Sequence, residues 1–199
     1  MDDAKPRRRT WLWSLTLSLL IAGLGTTYAM HRPAAVKVEM KGYTAQPDDL
    51  GPVMDISTYV VEGTATKVYT PRWTTPNGRR PQGLQKALSH SDVQLRTPVL
   101  LRVERVIKGE NVPATLLFTF PGGRDQDLEI VNEAAQRIAP GTRIVAFLSV
   151  APPNAGPWAK ISPLYPQMIF TVQGGTVRGP LKEVERSEFE RTLRGGIER

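Results

Sequence analysis

The chain contains no cysteine and only two histidines among its 199 residues, and these absences exclude several kinds of site. Without thiols there can be no disulfide, thiolate metal ligand, cysteine nucleophile or lipid attached through an N-terminal cysteine. Zinc centres take three or four His, Cys or carboxylate ligands, and with two histidines and no cysteine the chain lacks the nitrogen and sulfur ligands of the usual sites. We therefore expect neither a metal nor a cofactor.

The sequence also lacks the usual catalytic and phosphate-binding motifs. His31 falls in an expected linker, and His90 stands in SHSD, where neighbours in sequence do not face one another as a catalytic triad requires. Neither a GxSxG elbow nor a GxxxxGK[ST] loop is present, and no GxGxxG lies between a strand and a helix. The glycine pairs are therefore expected to turn the chain and not to bind phosphate.

The overall composition favours a folded, mostly β domain. Apolar residues make up 40% of the chain, which is enough to bury a core. The 17 glycines and 17 prolines fall mainly between short apolar runs, as in strands joined by turns. This length fits one domain with an appendage.

The N-terminal segment has the pattern of a membrane-directed leader. A basic flank at 1–10, expected to stay in the cytoplasm, precedes an uncharged apolar run at 11–28 that reaches about 27 Å as a helix. Thr27 and Ala29 also form a small-x-small cleavage site. Residues 11–29 are therefore either a removed signal peptide or a retained transmembrane anchor. The protein is expected in the cell membrane, with one span and its N-terminus inside, or secreted.

Beyond the leader, the sequence predicts a linker at 30–47 and an extracytoplasmic β-rich domain at 48–199. A helical turn is expected just after Asp48, then a strand at 57–69 with a bulge at Gly63. Four apolar residues of the next strand share one parity and are expected to face inward: Val99, Leu101, Val103 and Ile107. A turn at Gly109 leads into a strand with Leu116, Phe118 and Phe120 on one face.

The rest of the chain predicts further strands and one helix. The strands are expected at 127–131, 144–150, 160–164, 168–172 and 176–178, with the run at 144–150 buried on both faces. A helix is expected at about 181–193, ended by Gly195 and Gly196. The predicted fold is a small antiparallel OB-like barrel or sandwich with a C-terminal helix.

The order of these signals carries a resemblance. STYVVEGTATKV, LLRVERVIKGE, FTFPGG, RIAPGTRIVAFL and QMIFTVQGGTV occur in that order, and the chain resembles an uncharacterised group of bacterial exported β-barrel domains. Such domains are similar to the OB-type fold of netrin modules and tissue inhibitors of metalloproteases. The resemblance implies that fold for about residues 56–189. It does not imply inhibition, because those inhibitors place an N-terminal cysteine on the catalytic metal.

Three acidic residues alternate after a glycine turn, at Asp125, Asp127 and Glu129. A single strand would place all three on one face, where their oxygens could gather a calcium ion or support hydrolysis. The segment lacks the glycine and the twelfth-position Glu of a calcium loop. The alternative is a solvated strand face.

The basic excess of the domain is concentrated in one long insertion at 70–98. It contains five cationic residues and one acid, Asp92, and it adds a tryptophan that looks accessible. Long loops in compact domains are usually functional or disordered. The candidate binding residues are Arg72, Trp73, Arg79, Arg80 and Lys86. The alternative is a solvated loop with a short helix at GLQKALS.

These observations predict an exported or membrane-anchored binding module. Its expected partners are the membrane, through the N-terminal segment, and an anionic lipid, a wall polymer or an envelope protein, through the basic insertion. Nucleic acid is not expected, because the chain is exported and lacks interleaved aromatic residues. Two alternatives are an envelope hydrolase that uses carboxylates and a purely structural assembly domain.

Overall fold

The computed structural model describes residues 36–40, 50–88, 93–132, 138–179 and 182–197. The chain divides into two compact units, Met1–Ala35 and Val36–Arg199. The predicted basic flank and leader therefore lie outside the described residues. Within the described ranges, no helix has both the length and the apolar character needed to cross a membrane.

The described part is mostly β, as predicted. Its strands are β1 (Val36–Met40), β2 (Tyr59–Val68), β3 (Arg72–Trp73), β4 (Leu95–Lys108), β5 (Thr115–Pro121), β6 (Gly123–Asp125), β7 (Leu128–Asn132), β8 (Arg143–Val150), β9 (Leu164–Gln173), β10 (Thr176–Arg178) and β11 (Glu183–Glu185). Its helices are α1 (Gly51–Ile56), α2 (Leu84–Leu88), a 3-10 helix (Pro157–Lys160) and α3 (Arg186–Ile197).

Five of these strands pair in a closed ring. β2 is antiparallel to both β4 and β8, β4 is antiparallel to β5, and β8 is antiparallel to β9. A parallel contact between β5 and β9 closes the ring. β10 and β11 extend the sheet beyond β9, and β3 adds to β4. A separate sheet has the order β1-β7-β6.

The alternating apolar residues of the ring form one core. On β5, the predicted inward set of Leu116, Phe118 and Phe120 is confirmed as buried in this core. β8 is buried on both faces, also as predicted, because Ile144 and Ala146 join this core while Phe147 joins a second one. Period-two alternation thus identified the inward face of β5, and a continuous apolar run identified β8.

The second core lies between the ring and two helices. α1 and α3 contribute Val53, Met54, Phe189 and Leu193, which pack on apolar residues of β2, β8 and β9. The predicted helix at 181–193 began too early, because Glu183–Glu185 pairs with β10 as a strand and the helix starts at Arg186. It also continues through Gly195 and Gly196, which were expected to end it.

The pairing between β2 and β4 is irregular, and residues at the two ends of β4 pack in different cores. Register shifts occur between Val60 and Val61, between Glu62 and Gly63, and between Ala65 and Lys67, and the second of these confirms the bulge predicted at Gly63. A Cβ atom at Gly63 would lie 2.2 Å from the carbonyl oxygen of Arg102, so no other residue fits there without movement. Val99 and Leu101 face the ring interior as predicted, but Ile107 packs against the second core.

Two predicted boundaries were wrong. The expected linker at 30–47 contains β1, which pairs parallel with β7 in the second sheet. The strand expected at 160–164 is a 3-10 helix through Lys160, and β9 begins only at Leu164. Proline and glycine at the start of this helix favour the tight turn over an extended strand.

Candidate functional site

The described part of the basic insertion has a small core of its own. Trp73 and Leu95 pack with Leu128 and Ile130 of β7, and partly buried Leu84, Leu88 and Val93 surround them. β3 pairs with the start of β4. This packing fixes the insertion against the ring and the second sheet, and His90 lies outside the described residues.

Trp73 is not accessible, contrary to the prediction. Its exposed fraction is 3%, and its indole N–H donates a hydrogen bond of 2.7 Å to Asp125 Oδ2. The sequence marked Trp73 only as a tryptophan in a polar loop. Two of the residues that bury it, Leu128 and Ile130, lie more than 50 positions further along the chain.

A second loop faces the insertion across the outer surface of β4 and β5. This loop connects β8 to β9 and includes the 3-10 helix, whose Trp158 lies over the guanidinium of Arg96 at 4.8 Å and makes an edge contact with Tyr165. Such cation–π contacts are favourable when the cation is shielded from water. Arg96 therefore holds the loop in place.

Arg96 is itself an unusual buried cation. It donates to Thr119 Oγ1 at 3.1 Å, to the Thr119 carbonyl at 2.9 Å and to Gln94 Oε1 at 2.9 Å. No carboxylate within the described ranges pairs with it, and burial lowers its pKa to about 10. Arg96 thus stays charged at neutral pH. Arg72 occupies the cross-strand position opposite Arg96, where like charges repel.

The two loops enclose a basic groove, defined here by the insertion residues 72–78 and by Pro157, Lys160 and Ile161. Its volume is about 500 Å³. Arg72 and Lys160 are exposed cations on opposite walls, and no Asp or Glu is present among the described residues that line the groove. The groove therefore suits an anion.

Asn77 adds a neutral donor to the groove wall. Its side-chain oxygen accepts hydrogen bonds from Thr75 Oγ1 at 3.0 Å and from the Arg79 N–H at 3.0 Å. Because these bonds use the oxygen, the Nδ2 group remains as the donor that the side chain can offer to a ligand.

A pocket of about 340 Å³ adjoins the groove and shares Arg72 and Ile161 with it. Its remaining lining is Tyr69, Thr70, Pro98 and Leu117. We call this space the apolar annex. Lys67 lies over the Tyr69 ring at 4.6 Å, so a further cation stands beside it.

The five predicted binding residues have different places in the structure. Arg72 lines the groove, and Trp73 supports its wall from a buried position. Arg80 pairs with Asp127 at 2.6 Å, while Arg79 and Lys86 are exposed outside the groove lining. Sequence reasoning missed Lys160, although a tryptophan and a lysine in the proline-rich connection APPNAGPWAKISP were a signal.

The three alternating acids do not converge, contrary to the one-face expectation. Gln126 has a positive φ of 54° and turns the chain between β6 and β7. Asp125 therefore lies opposite Leu128, and Glu129 lies opposite Arg124 on the other face of the ribbon. Arg80 lowers the pKa of Asp127 through its hydrogen bond. The described residues hold no group of three metal-ligating side chains.

A separate charged cluster stabilises the side of the ring near α3. The carboxylate of Glu62 is 1% exposed and contacts Arg105 at 3.1 Å, Arg143 at 2.9 Å and Arg186 at 2.9 Å. Arg105 also pairs with Glu190 at 2.6 Å, and this hydrogen bond lowers the pKa of Glu190. The carboxylates of Glu62 and Glu190 both pair with arginines, so the cluster links α3 to β2, β4 and β8.

Comparison of the chain with family models, curated proteins and solved structures found no match.

Proposed function

We propose that the chain is an exported or membrane-anchored binding module whose basic groove binds a phosphate-bearing component of the cell envelope. The observation that carries the proposal is the pair of exposed cations, Arg72 and Lys160, facing one cavity whose described lining residues include no acid. Arg and Lys are the usual side-chain partners of phosphate. The N-terminal leader would place the domain outside the cytoplasm, next to such components.

The ring is interpreted as an OB-type barrel. Its strand pairing corresponds to a five-stranded Greek-key ring whose third and fifth strands meet in parallel. OB-type barrels bind ligands on the face of strands two and three, between the loops that follow strands one and four. In this chain those parts are β4, β5, the insertion and the loop containing Lys160. This support is an analogy of fold.

The strength of binding should depend strongly on salt. Each exposed ion pair contributes only about 0–1 kcal/mol and is screened within about 10 Å at 0.1 M ionic strength. Affinity would therefore require several phosphates or additional contacts in the groove. A polymer of glycerol phosphate offers several phosphates and is soluble.

The test uses the full chain in neutral detergent and titrates it calorimetrically with poly(glycerol phosphate) at several salt concentrations. We expect binding that weakens with salt and falls at least tenfold when Arg72 and Lys160 are both changed to Gln. The matched control changes two exposed arginines of α3, R191Q and R194Q, which removes the same charge away from the groove. Equal losses in both double variants would reject a localised site.

Other outcomes of the same programme would favour a different partner. Salt-insensitive association with a protein in native membranes, unaffected by R72Q/K160Q, would contradict the proposal and favour an envelope protein. N-terminal sequencing of the exported chain distinguishes a cleaved leader from an anchor. Recovery of the protein only from the cytosol would overturn the proposed localisation.

A further inference from the structure

The apolar annex raises the question of what part of a ligand it would hold. Among the described residues, five large apolar side chains are exposed, and two of them, Tyr69 and Leu117, line this one pocket at 37% exposure each. Water in contact with these surfaces is released when an apolar group covers them. Concentration of exposed apolar surface in one concave place is typical of a binding site.

The annex is continuous with the basic groove through two shared residues. Arg72 and Ile161 belong to both cavities, so a ligand anchored at Arg72 can extend over Leu117 without leaving the surface. Both sides of this junction are held in place. Ser162 donates to the Leu117 carbonyl at 2.7 Å, which joins the loop of Ile161 to β5.

The positive charge around the annex favours an apolar ligand that carries an anionic group. Lys67 stands over Tyr69, and Arg72 lies at the junction with the groove. No Asp or Glu is present among the described residues that line the annex. A neutral lipid would leave these cations without counter-charge, whereas an anionic head group would pair with them.

We propose that the site takes a phosphate-bearing amphiphile, with its phosphate between Arg72 and Lys160 and its apolar chain over Tyr69 and Leu117. This inference rests on the proposed function, because it assumes that the groove binds phosphate. It adds that the natural ligand is lipid-like, such as a single-chain lipid phosphate, and is not a purely hydrophilic polymer.

The experiment compares glycerol 1-phosphate, butyl phosphate and hexyl phosphate, all below their micelle concentrations, against the full chain in neutral detergent. A buried methylene contributes about 0.8 kcal/mol, so each one that enters the annex should increase affinity by up to about fourfold. We expect the order hexyl, butyl, glycerol phosphate. Hexanol, which has the chain without the charge, should bind more weakly than hexyl phosphate.

Two variants locate the effect. L117N should abolish the dependence on chain length while leaving glycerol 1-phosphate binding unchanged. V150N changes another exposed apolar residue, which does not line the annex, and should bind like the parent chain. Thermal unfolding of both variants checks that the fold is retained.

The outcomes separate this inference from the proposed function. Equal affinity for all three phosphates, with loss in R72Q/K160Q, would overturn the amphiphile and keep the phosphate site. Absence of binding by every phosphate tested, the polymer included, would overturn both. Chain-length dependence that persists in L117N would also reject the annex as the place of the chain.

Discussion

The indole N–H of Trp73 donates to Asp125 Oδ2 at 2.7 Å, which joins the insertion to the β6–β7 ribbon across 52 residues of sequence. Trp73 is buried, and the carboxylate is partly shielded from water. A hydrogen bond to a charged group of this kind contributes about 1.5–3 kcal/mol. The contact therefore stabilises one wall of the basic groove.

Replacing Trp73 with Phe should lower the free energy of unfolding by about 2 kcal/mol, because Asp125 loses its donor. Urea denaturation of the full chain measures this change. D125N, which retains a side-chain acceptor for the indole, is the matched variant and should cost less. An unchanged unfolding midpoint in W73F would show that the bond contributes nothing.

Substitution of Glu62 should destabilise the fold far more than substitution of any one of the arginines that contact it. E62Q leaves Arg105, Arg143 and Arg186 without their shared buried counter-charge, and we expect a loss of about 3 kcal/mol. R143Q should cost at most about 1 kcal/mol, because Arg143 is 45% exposed and two other arginines still contact Glu62. Similar midpoints for the two variants in thermal unfolding would contradict this hierarchy.

Acid should destabilise the fold through Glu190 and Glu104. The pKa of Glu190 is lowered by its hydrogen bond from Arg105, and that of Glu104 by its hydrogen bonds from Thr64 and Arg102. A carboxyl whose pKa is lower in the folded state stabilises the fold above its unfolded pKa. This stability should be present above about pH 4.5 and disappear as the pH falls through the lower folded values.

Chemical denaturation at several pH values between 3 and 7 measures the free energy of unfolding as a function of pH. R105Q removes the main cause of the shift at Glu190, so its profile should be flatter below pH 4.5 than that of the parent chain. A profile in R105Q parallel to the parent would show that this pair does not govern the acid response.

The adjacent glycines of α3 should respond in opposite ways to alanine. G195A should stabilise the protein by about 0.5–1 kcal/mol, because its Cβ meets no atom within 4 Å and alanine favours helix. In G196A the new Cβ would lie 2.7 Å from Met54 Sδ, so buried Met54 would have to shift. We expect G196A to be at least about 1 kcal/mol less stable than G195A, measured by the midpoint of thermal unfolding.

The ring strands were predictable because local periodicity determines them. Leu116, Phe118 and Phe120 occupy every second position of β5, and a two-residue period places them on one face of a strand. The buried strand β8 was predictable from its continuous apolar run, and the bulge from a glycine, Gly63, inside a β-branched segment. The five-residue strand β1 was missed because its pairing with β7 depends on residues about 90 positions away.

The candidate site was predictable only in part. Clustered arginines indicated the insertion, and Arg72 does line the groove. Lys160 was assigned to a strand, and its position opposite Arg72 depends on Trp158 lying over Arg96. The burial of Trp73 depends on Leu128 and Ile130, which approach it only when the second sheet forms. Contacts of this kind leave no periodic signal in the sequence.

The ring is closed between β5 and β9 by a single registered position in the described chain, Phe118 with Leu164. Backbone amides at such a short seam exchange with solvent through local opening, at a lower free energy than global unfolding. Leu164 also donates its N–H to Ser162 Oγ, two residues from Lys160, so we expect a ligand held by Lys160 to increase amide protection at this seam. Slowed deuterium uptake at Leu164 would thus report a bound phosphate without any label on the ligand.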